Sequence, residues 1–418
     1  MHARWKRAGH SNNALMIVQC DGPLARDRVE RALDAFVARC PWLGARLRRF
    51  PLGKLHWAAS GRADRARPRV RHAAVSGVDG LHRELEVELN AVIDPRREPP
   101  LRILVVDGGP SWARSALVLT WFHPLMDPRG GQNLLAHLDS IDRHGGRPPW
   151  GAEAPAFTPA VDRRPLKERG RVARRSLEHM KTLSPIPPVS PGTGRVAFGG
   201  LRFWQERFAE RETSRANRHA TREITWRLAL VGRAMADLWK RRGLPERPFL
   251  LPISVDLRPK GEAGPVFGNM LAFHFARFDP AETGDVPALA TSLRRQLTDA
   301  VRDGLIEANA TAMEFLHYRP VSRMLNALPW TSGGETFSFN CADIGEFPGA
   351  LDRCFGRRVV NAYHVPAVMP KPGIGVFFNW CGGGNNLVVS WVEGAVTEDE
   401  VDRIAEIVRE GMGWVRVP

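Results

Sequence analysis

An apolar run that ends in a histidine limits most strongly what this chain can fold into. The run covers residues 116–122 and would be apolar on both faces of a strand, which is typical of a strand buried between two layers. His123 follows directly, Asp127 stands four residues later, and Gly130 and Gly131 precede apolar residues at helical spacing. The sequence therefore predicts a buried strand, a short loop that carries His123, and an amphipathic helix.

A histidine held in such a loop can act as a general base. Imidazole has a pKa near neutrality, and the two flanking elements would keep the ring within hydrogen-bond reach of a substrate. Asp127 could hold the imidazole directly, or it could fix the loop by pairing with an arginine elsewhere. The spacing of His123 and Asp127 is common by chance, so on its own it favours an ordinary hydrogen-bonded histidine at a strand end.

Four further segments match motifs of one superfamily, in the same order along the chain. They are a first helix and turn at 28–47, a strand at 99–106, the segment 252–258 followed by Phe267-Gly268-Asn269, and the segment 337–345. Together with an HxxxD motif at His123 and Asp127, they make the chain resemble the superfamily of chloramphenicol acetyltransferase, nonribosomal peptide condensation domains, plant BAHD acyltransferases and bacterial wax ester synthases.

The resemblance implies a role for each residue of the loop. His123 would be the catalytic base that deprotonates an acceptor hydroxyl or amine, which then attacks the carbonyl of an acyl thioester. Asp127 would point away from the substrate and pair with Arg258, tying the two halves together. Gly131 would support the site structurally. The alternative for Arg258 is an ordinary surface arginine after a strand.

Donors for the developing oxyanion would come from the second half of the chain. Ser338 and Asn340 are the candidates for these oxyanion or substrate contacts. They are explained equally well as polar residues that close a strand. No metal site is expected.

The superfamily implies an α/β fold of two chloramphenicol-acetyltransferase-like lobes, each a mixed sheet with helices, with an active-site channel between them. We expect an N-terminal lobe at 1–183 that carries the HxxxD motif, a linker at 184–194 and a C-terminal lobe at 195–418. The linker interpretation rests on its four prolines and two glycines, which oppose regular structure. Apolar segments on both sides of the glycines at 382–384 predict a hairpin.

Composition fits a globular protein of the cytoplasm. The 418 residues are 43% hydrophobic and 25% charged, and the five cysteines include no CxxC pair, so neither a disulfide framework nor a zinc site is indicated. We find no secretory signal and no apolar stretch of membrane-spanning length, so any membrane contact would be peripheral, at the inner face.

The net charge of +15 is explained by solvated arginine residues spread over the surface, or by attraction of an acidic partner. A dense basic run at 163–175 could attract the phosphates of coenzyme A, an acidic acyl carrier protein or an anionic membrane that holds a lipid acceptor. No nucleic-acid-binding motif accompanies the charge, so we expect no nucleic-acid partner. We expect a monomer with no bound cofactor, for which acyl-CoA or a phosphopantetheinyl carrier protein is a co-substrate.

Three functions fit these patterns. The favoured one is an acyltransferase that moves an acyl group from a thioester to a hydroxyl or amine acceptor. The second is a stand-alone condensation enzyme that acts on carrier-bound substrates. The third is a degenerate, non-catalytic binding member, because the chain has Phe122 where many members have a second histidine and Pro128 where they have glycine.

Overall fold

A computed structural model of the chain describes residues 11–49, 55–58, 67–109, 112, 114–146, 164–183, 189–191, 200–210, 223–258, 267–316 and 337–417. Its strands are β1 (Asn13–Cys20), β2 (Arg46–Arg49), β3 (Leu55–Ala58), β4 (Arg69–Ala74), β5 (Leu101–Asp107), β6 (Ser115–Phe122), β7 (Leu201–Glu210), β8 (Phe249–Asp256), β9 (Leu271–Phe278), β10 (Asn340–Glu346), β11 (Arg353–Cys354), β12 (Arg357–Val365), β13 (Ile374–Cys381), β14 (Gly384–Val392) and β15 (Trp414–Arg416). Its helices are α1 (Arg26–Arg39), α2 (Gly77–Asn90), α3 (Pro128–Arg143), α4 (Leu166–Leu183), α5 (Glu223–Arg241), α6 (Val286–Arg302), α7 (Leu305–Leu316) and α8 (Glu398–Met412).

The first large sheet has the strand order β11-β12-β1-β6-β5-β4 and is mixed, because β4 and β5 run parallel while the other pairs are antiparallel. Helices α1 and α3 pack on one face, and α2 packs on the other. Strand β6 lies in the middle, and every residue of it is buried. Burial on both faces accounts for the unbroken apolar run that precedes His123.

The second large sheet has the order β10-β13-β14-β7-β15, and it is mixed because β10 runs parallel to β13. Helices α5, α6 and α8 contribute to the core on one of its faces. The other face shares a core with α2 and the first sheet. Strands β13 and β14 form the antiparallel hairpin that the sequence predicts. The predicted α/β fold of two mixed, helix-covered sheets is therefore confirmed.

The second half of the sequence contributes strands to the first sheet. Strands β11 and β12 come from the second half, yet β12 pairs with β1 in the first sheet. Amide side chains join β12 to the second sheet, since Asn361 and Asn386 donate to each other's oxygens at 3.1 and 3.0 Å. Most of the predicted linker at 184–194 lies outside the described residues, so the boundary between the lobes stays a prediction.

A buried ion pair inside the second half accounts for the aspartate in the segment 337–345. Arg227 on α5 is 3% exposed, and its Nη1 lies 2.9 Å from Oδ2 of Asp343 on β10. Its Nη2 donates to Asn385 at 2.8 Å, and its guanidinium lies over the ring of Phe378. Asp343 also accepts from the backbone N–H of Gly345, which has a φ of +81°. Asp343 therefore links β10 of the second sheet to helix α5.

Replacement of Arg227 by methionine should lower the free energy of unfolding by about 3–5 kcal/mol, because it leaves the Asp343 carboxylate buried without its partner. Chemical denaturation measures this difference, provided that the wild-type and variant proteins show the same dependence of the free energy of unfolding on denaturant concentration. The control is Arg233→Met on the exposed side of the same helix, which should stay within about 0.5 kcal/mol. Equal stability of the two variants would contradict a structural role for the pair.

Candidate active site

His123 lies just beyond β6, in the loop that leads to α3. Its backbone N–H donates to the carbonyl of Asn12 at 2.8 Å, which extends the pairing of β6 with β1 by one residue. Its carbonyl accepts from Nδ2 of Asn269 at 3.1 Å. The backbone of His123 is thus held from both halves of the chain.

The environment of the His123 ring favours its neutral form. Burial lowers its pKa below the ordinary 6.5, and this effect outweighs a ring hydrogen bond to the residue's own carbonyl and the negative charge of Asp127, both of which raise the pKa. Only Nδ1 can reach the carbonyl of its own residue, so this bond places the ring proton on Nδ1. Nε2 is then left with a lone pair that can accept a proton.

Asp127 is fully buried and has a set of partners that satisfies its charge. It is the N-cap of α3, and Oδ1 accepts from the backbone N–H of Gly130 at 2.7 Å. Oδ2 accepts from the backbone N–H of Met270 at 2.8 Å. Arg258 donates to both oxygens, with Nη2 at 2.9 Å from Oδ1 and Nη1 at 3.0 Å from Oδ2. Two parallel bonds of this kind form a strong and directional contact.

Arg258 reaches Asp127 from the end of β8, in the other half of the chain. Its side chain is only 11% exposed. Besides Asp127 it contacts Asp256 at 3.0 Å and donates to the carbonyl of Gly268 at 3.1 Å. The structure therefore brings Asp127 and Arg258 together, as the sequence predicts.

The glycines after Asp127 allow close packing. A Cβ on Gly130 would lie 2.9 Å from the carbonyl oxygen of Phe267, and one on Gly131 would lie 3.1 Å from the ring of Trp121. Both distances are tighter than ordinary contacts, so larger residues would push α3 away from the segment that contacts Asp127. Gly131 thus supports the position of the helix.

The two residues that depart from the superfamily pattern fit the local structure. Pro128 occupies the first turn of α3, where a missing backbone N–H is not needed and a fixed φ suits the helix. Phe122 is buried, stands opposite Asn13 and packs edge-on against Trp57. Because successive strand residues point to opposite faces, the Phe122 side chain lies on the face of the first sheet opposite to His123.

Ser338 contacts the backbone at the start of β8. Its Oγ accepts from the backbone N–H of Leu250 at 3.1 Å, near the start of β8, whereas Arg258 follows the end of that strand. Six residues of strand correspond to about 20 Å. Asn340 begins β10 and is half-buried. The geometry gives Ser338 a sheet-edge contact, and the oxyanion role of either residue stays a prediction.

Part of the basic run at 163–175 has acidic partners within the molecule. Arg164 pairs with Glu307 at 2.6 Å, and Arg169 pairs with Glu314 at 2.6 Å, so α4 is tied to α7. Lys167, Arg171 and Arg174 are exposed, so their charge is available to solvent and partners. The start of the run, at residue 163, lies outside the described residues.

Other kinds of site receive no support within the described part of the chain. Its five cysteines are all buried and free, and no group of three metal-ligating side chains is found there. None of its helices has the length and apolar character needed to cross a membrane.

A cavity of about 400 Å³ lies beside Trp204, Glu206 and Arg409, on the second sheet and α8. None of the candidate site residues lines it.

Comparison with known proteins gives matches at the level of structure. No family model and no curated protein matches the sequence. The trichothecene 15-O-acetyltransferase from Fusarium sporotrichioides matches with a TM-score of 0.71 and 13% identity, over 98% of this chain and 92% of that chain. The first condensation domain of the calcium-dependent antibiotic synthetase matches with a TM-score of 0.67 and 16% identity, over 98% and 93%.

A wax ester synthase/diacylglycerol acyltransferase from Marinobacter aquaeolei VT8 also matches, with a TM-score of 0.61 and 15% identity, over 97% of this chain and 94% of that chain. All three proteins share the fold over nearly the whole of this chain. The chain therefore has the fold of the chloramphenicol acetyltransferase-like and condensation-domain superfamily.

Replacement of Asp127 by alanine should lower the free energy of unfolding by about 3–5 kcal/mol, because it removes the N-cap of α3 and the fully buried counter-ion of Arg258, whose pairing with the more exposed Asp256 does not replace it. Denaturant unfolding measures the loss. Glu30→Ala is the control, since Glu30 forms an exposed pair with Arg26 on α1 at 2.8 Å and should contribute less than about 1 kcal/mol. A loss at Asp127 no larger than that of the control would contradict the proposed anchoring.

Proposed function

We propose that this protein is an acyltransferase that moves an acyl group from a thioester to a hydroxyl or amine acceptor, with His123 as general base. The observation that carries the proposal is the neutral His123 ring on a loop whose two ends are fixed by β6 and by the Asp127–Arg258 pair. A base must be both unprotonated and correctly positioned, and this loop meets both conditions. The fold shared with acyltransferases and condensation domains supports the same chemistry.

The reaction follows from the lone pair on Nε2 of His123. The acceptor's O–H or N–H proton passes to Nε2 as the acceptor atom bonds to the thioester carbonyl carbon, and the carbonyl electron pair moves onto oxygen. When the carbonyl re-forms, the C–S bond breaks and the leaving thiolate takes the proton from the imidazolium. His123 ends neutral, as it began. Asp127 and Arg258 take no part in proton transfer, and they hold the loop.

The donor is a thioester of coenzyme A or of a phosphopantetheinyl carrier protein. Both are anionic, and the net charge of +15 favours either one. The condensation-enzyme alternative shares the base and differs in the donor. Assays with acetyl-, octanoyl- and palmitoyl-CoA, and with the same acyl groups on a carrier protein, separate these alternatives. The acceptors are primary alcohols, primary amines and a metabolite extract, with products identified by mass spectrometry.

Replacement of His123 by alanine should reduce acyl transfer by at least about 10²–10⁴-fold, the usual contribution of a positioned general base. Release of free thiol and formation of the acylated product both report the rate. The loss should occur without a change in melting temperature as large as that of Asp127→Ala.

His144→Ala is the matched control, because His144 follows α3 and is exposed. It should retain full activity. Full activity in the His123 variant with the same substrates would refute the mechanism. If the wild-type chain transferred no acyl group from any donor, the degenerate, non-catalytic alternative would replace this proposal.

The rate should depend on pH through the same histidine. His123 must be unprotonated to accept a proton, and its pKa is lowered from 6.5, so kcat/KM should be constant as pH falls from 8 to about 7 and drop only below 6.5. A pH profile between 5 and 8 with an acyl-CoA donor measures this. A half-loss of activity above pH 6.5 would contradict a buried, neutral base.

A further inference from the structure

The side chain of Asn12 is an uncompensated polar group in the protein interior. Asn12 is 3% exposed, and neither Oδ1 nor Nδ2 has a hydrogen-bond partner among the residues that the structure describes. A buried amide left unpaired costs about 1–3 kcal/mol relative to a paired one. An unpaired buried amide that a protein retains despite this cost often has a role in function.

The position of Asn12 supplies one. Asn13 and Phe122 form the last residue pair of β1 and β6, and the bond from the His123 N–H to the Asn12 carbonyl adds the next pair. Residues opposite each other on antiparallel strands share a face, with Cβ atoms about 4.5–5.5 Å apart. The register therefore places the side chains of Asn12 and His123 on the same face of the first sheet, at neighbouring positions.

The neighbouring polar side chains differ from Asn12. Asn13 donates from Nδ2 to the carbonyls of Glu88 and Ala91 at 2.9 and 2.8 Å. Ser11 donates to the carbonyl of Leu89. Both residues therefore fix β1 to α2, on the face away from His123. Asn12 makes no such contact within the described residues, so its amide keeps its full hydrogen-bonding capacity.

We propose that Asn12 is a catalytic residue that donates from Nδ2 to the carbonyl oxygen of the acyl group. The inference rests on the proposed acyl transfer. Negative charge develops on that oxygen as His123 removes the acceptor proton, and side-chain amides serve as donors to such oxyanions. The donor sits in a water-poor position next to the base, where a hydrogen bond to a developing charge is strongest.

The test replaces Asn12 by leucine, which has a similar size and no polar atoms. Removal of one oxyanion donor typically lowers kcat about 10²–10³-fold. We expect a loss of that size with the donor and acceptor that the wild-type chain uses, and little change in KM. We also expect an unchanged or higher melting temperature, because the variant removes an unpaired buried amide. A residue with a merely structural role would not lower kcat while preserving stability.

Two further variants complete the experiment. Asn13→Leu is the matched control, and it should lose stability through its contacts with α2 while its kcat changes less than that of Asn12→Leu. Asn12→Asp keeps the shape but has no N–H donor when ionised, and it should lose activity as Asn12→Leu does. It also serves as the test if the leucine variant does not fold.

The outcomes separate the inference from the proposed function. If the wild-type chain is active and His123→Ala is inactive, but both Asn12 variants keep the wild-type kcat, the role of Asn12 is refuted and acyl transfer stands. A rise in KM at constant kcat would also refute it, since that result describes ground-state binding. If His123→Ala is as active as the wild-type chain, the proposed function fails, and the role of Asn12 fails with it.

Discussion

Asp127 places a carboxylate where no solvent reaches it, and the charge is balanced by Arg258, which is 131 residues away in sequence. The same carboxylate caps α3 and accepts from the backbone of Met270. One side chain therefore fixes the start of a helix, the exit of the loop and the contact between the two halves. Because a buried charge without its partner is costly, each half of the chain constrains the geometry of the other.

Asp127 and His123 have different roles in this loop. Both carboxylate oxygens of Asp127 are engaged with the protein, which favours the structural role that we propose for it. His123 has its backbone fixed at both ends, its proton held by its own carbonyl, and Nε2 left for a substrate. The departures at Phe122 and Pro128 leave this arrangement intact, since one residue faces the opposite side of the sheet and the other begins the helix. Phe122 and Pro128 therefore do not favour the degenerate, non-catalytic alternative.

Local sequence patterns predicted the elements around His123 well. Strand β6 is buried on both faces, which produces an unbroken apolar run, and α3 has an ordinary amphipathic pattern after Gly131. The link between Asp127 and Arg258 could be predicted only from the resemblance to a superfamily, because no local pattern connects positions so far apart. The same resemblance predicted two mixed sheets with helices, and the structure has them.

What the sequence did not reveal depends on long-range pairing. The insertion of β12 beside β1 and the burial of Arg227 against Asp343 have no local signal, since a charged residue in a helix usually predicts an exposed position. Asn12 stands in a polar stretch before β1, and its importance becomes visible only when the register of β1 and β6 places it opposite His123. Ser338 was a candidate by its place in a motif, but its backbone contact lies at the far end of β8.

The central claim is that the Asp127–Arg258 pair holds a loop on which His123 acts as a base. A double-mutant cycle on the acyl-transfer rate, with Asp127→Asn, Arg258→Gln and the combined variant, tests it most directly. The account predicts that each single variant lowers kcat and that the combined variant is no slower than the slower single variant, because both changes break one contact. Losses that multiply, or no loss in either single variant, would contradict it.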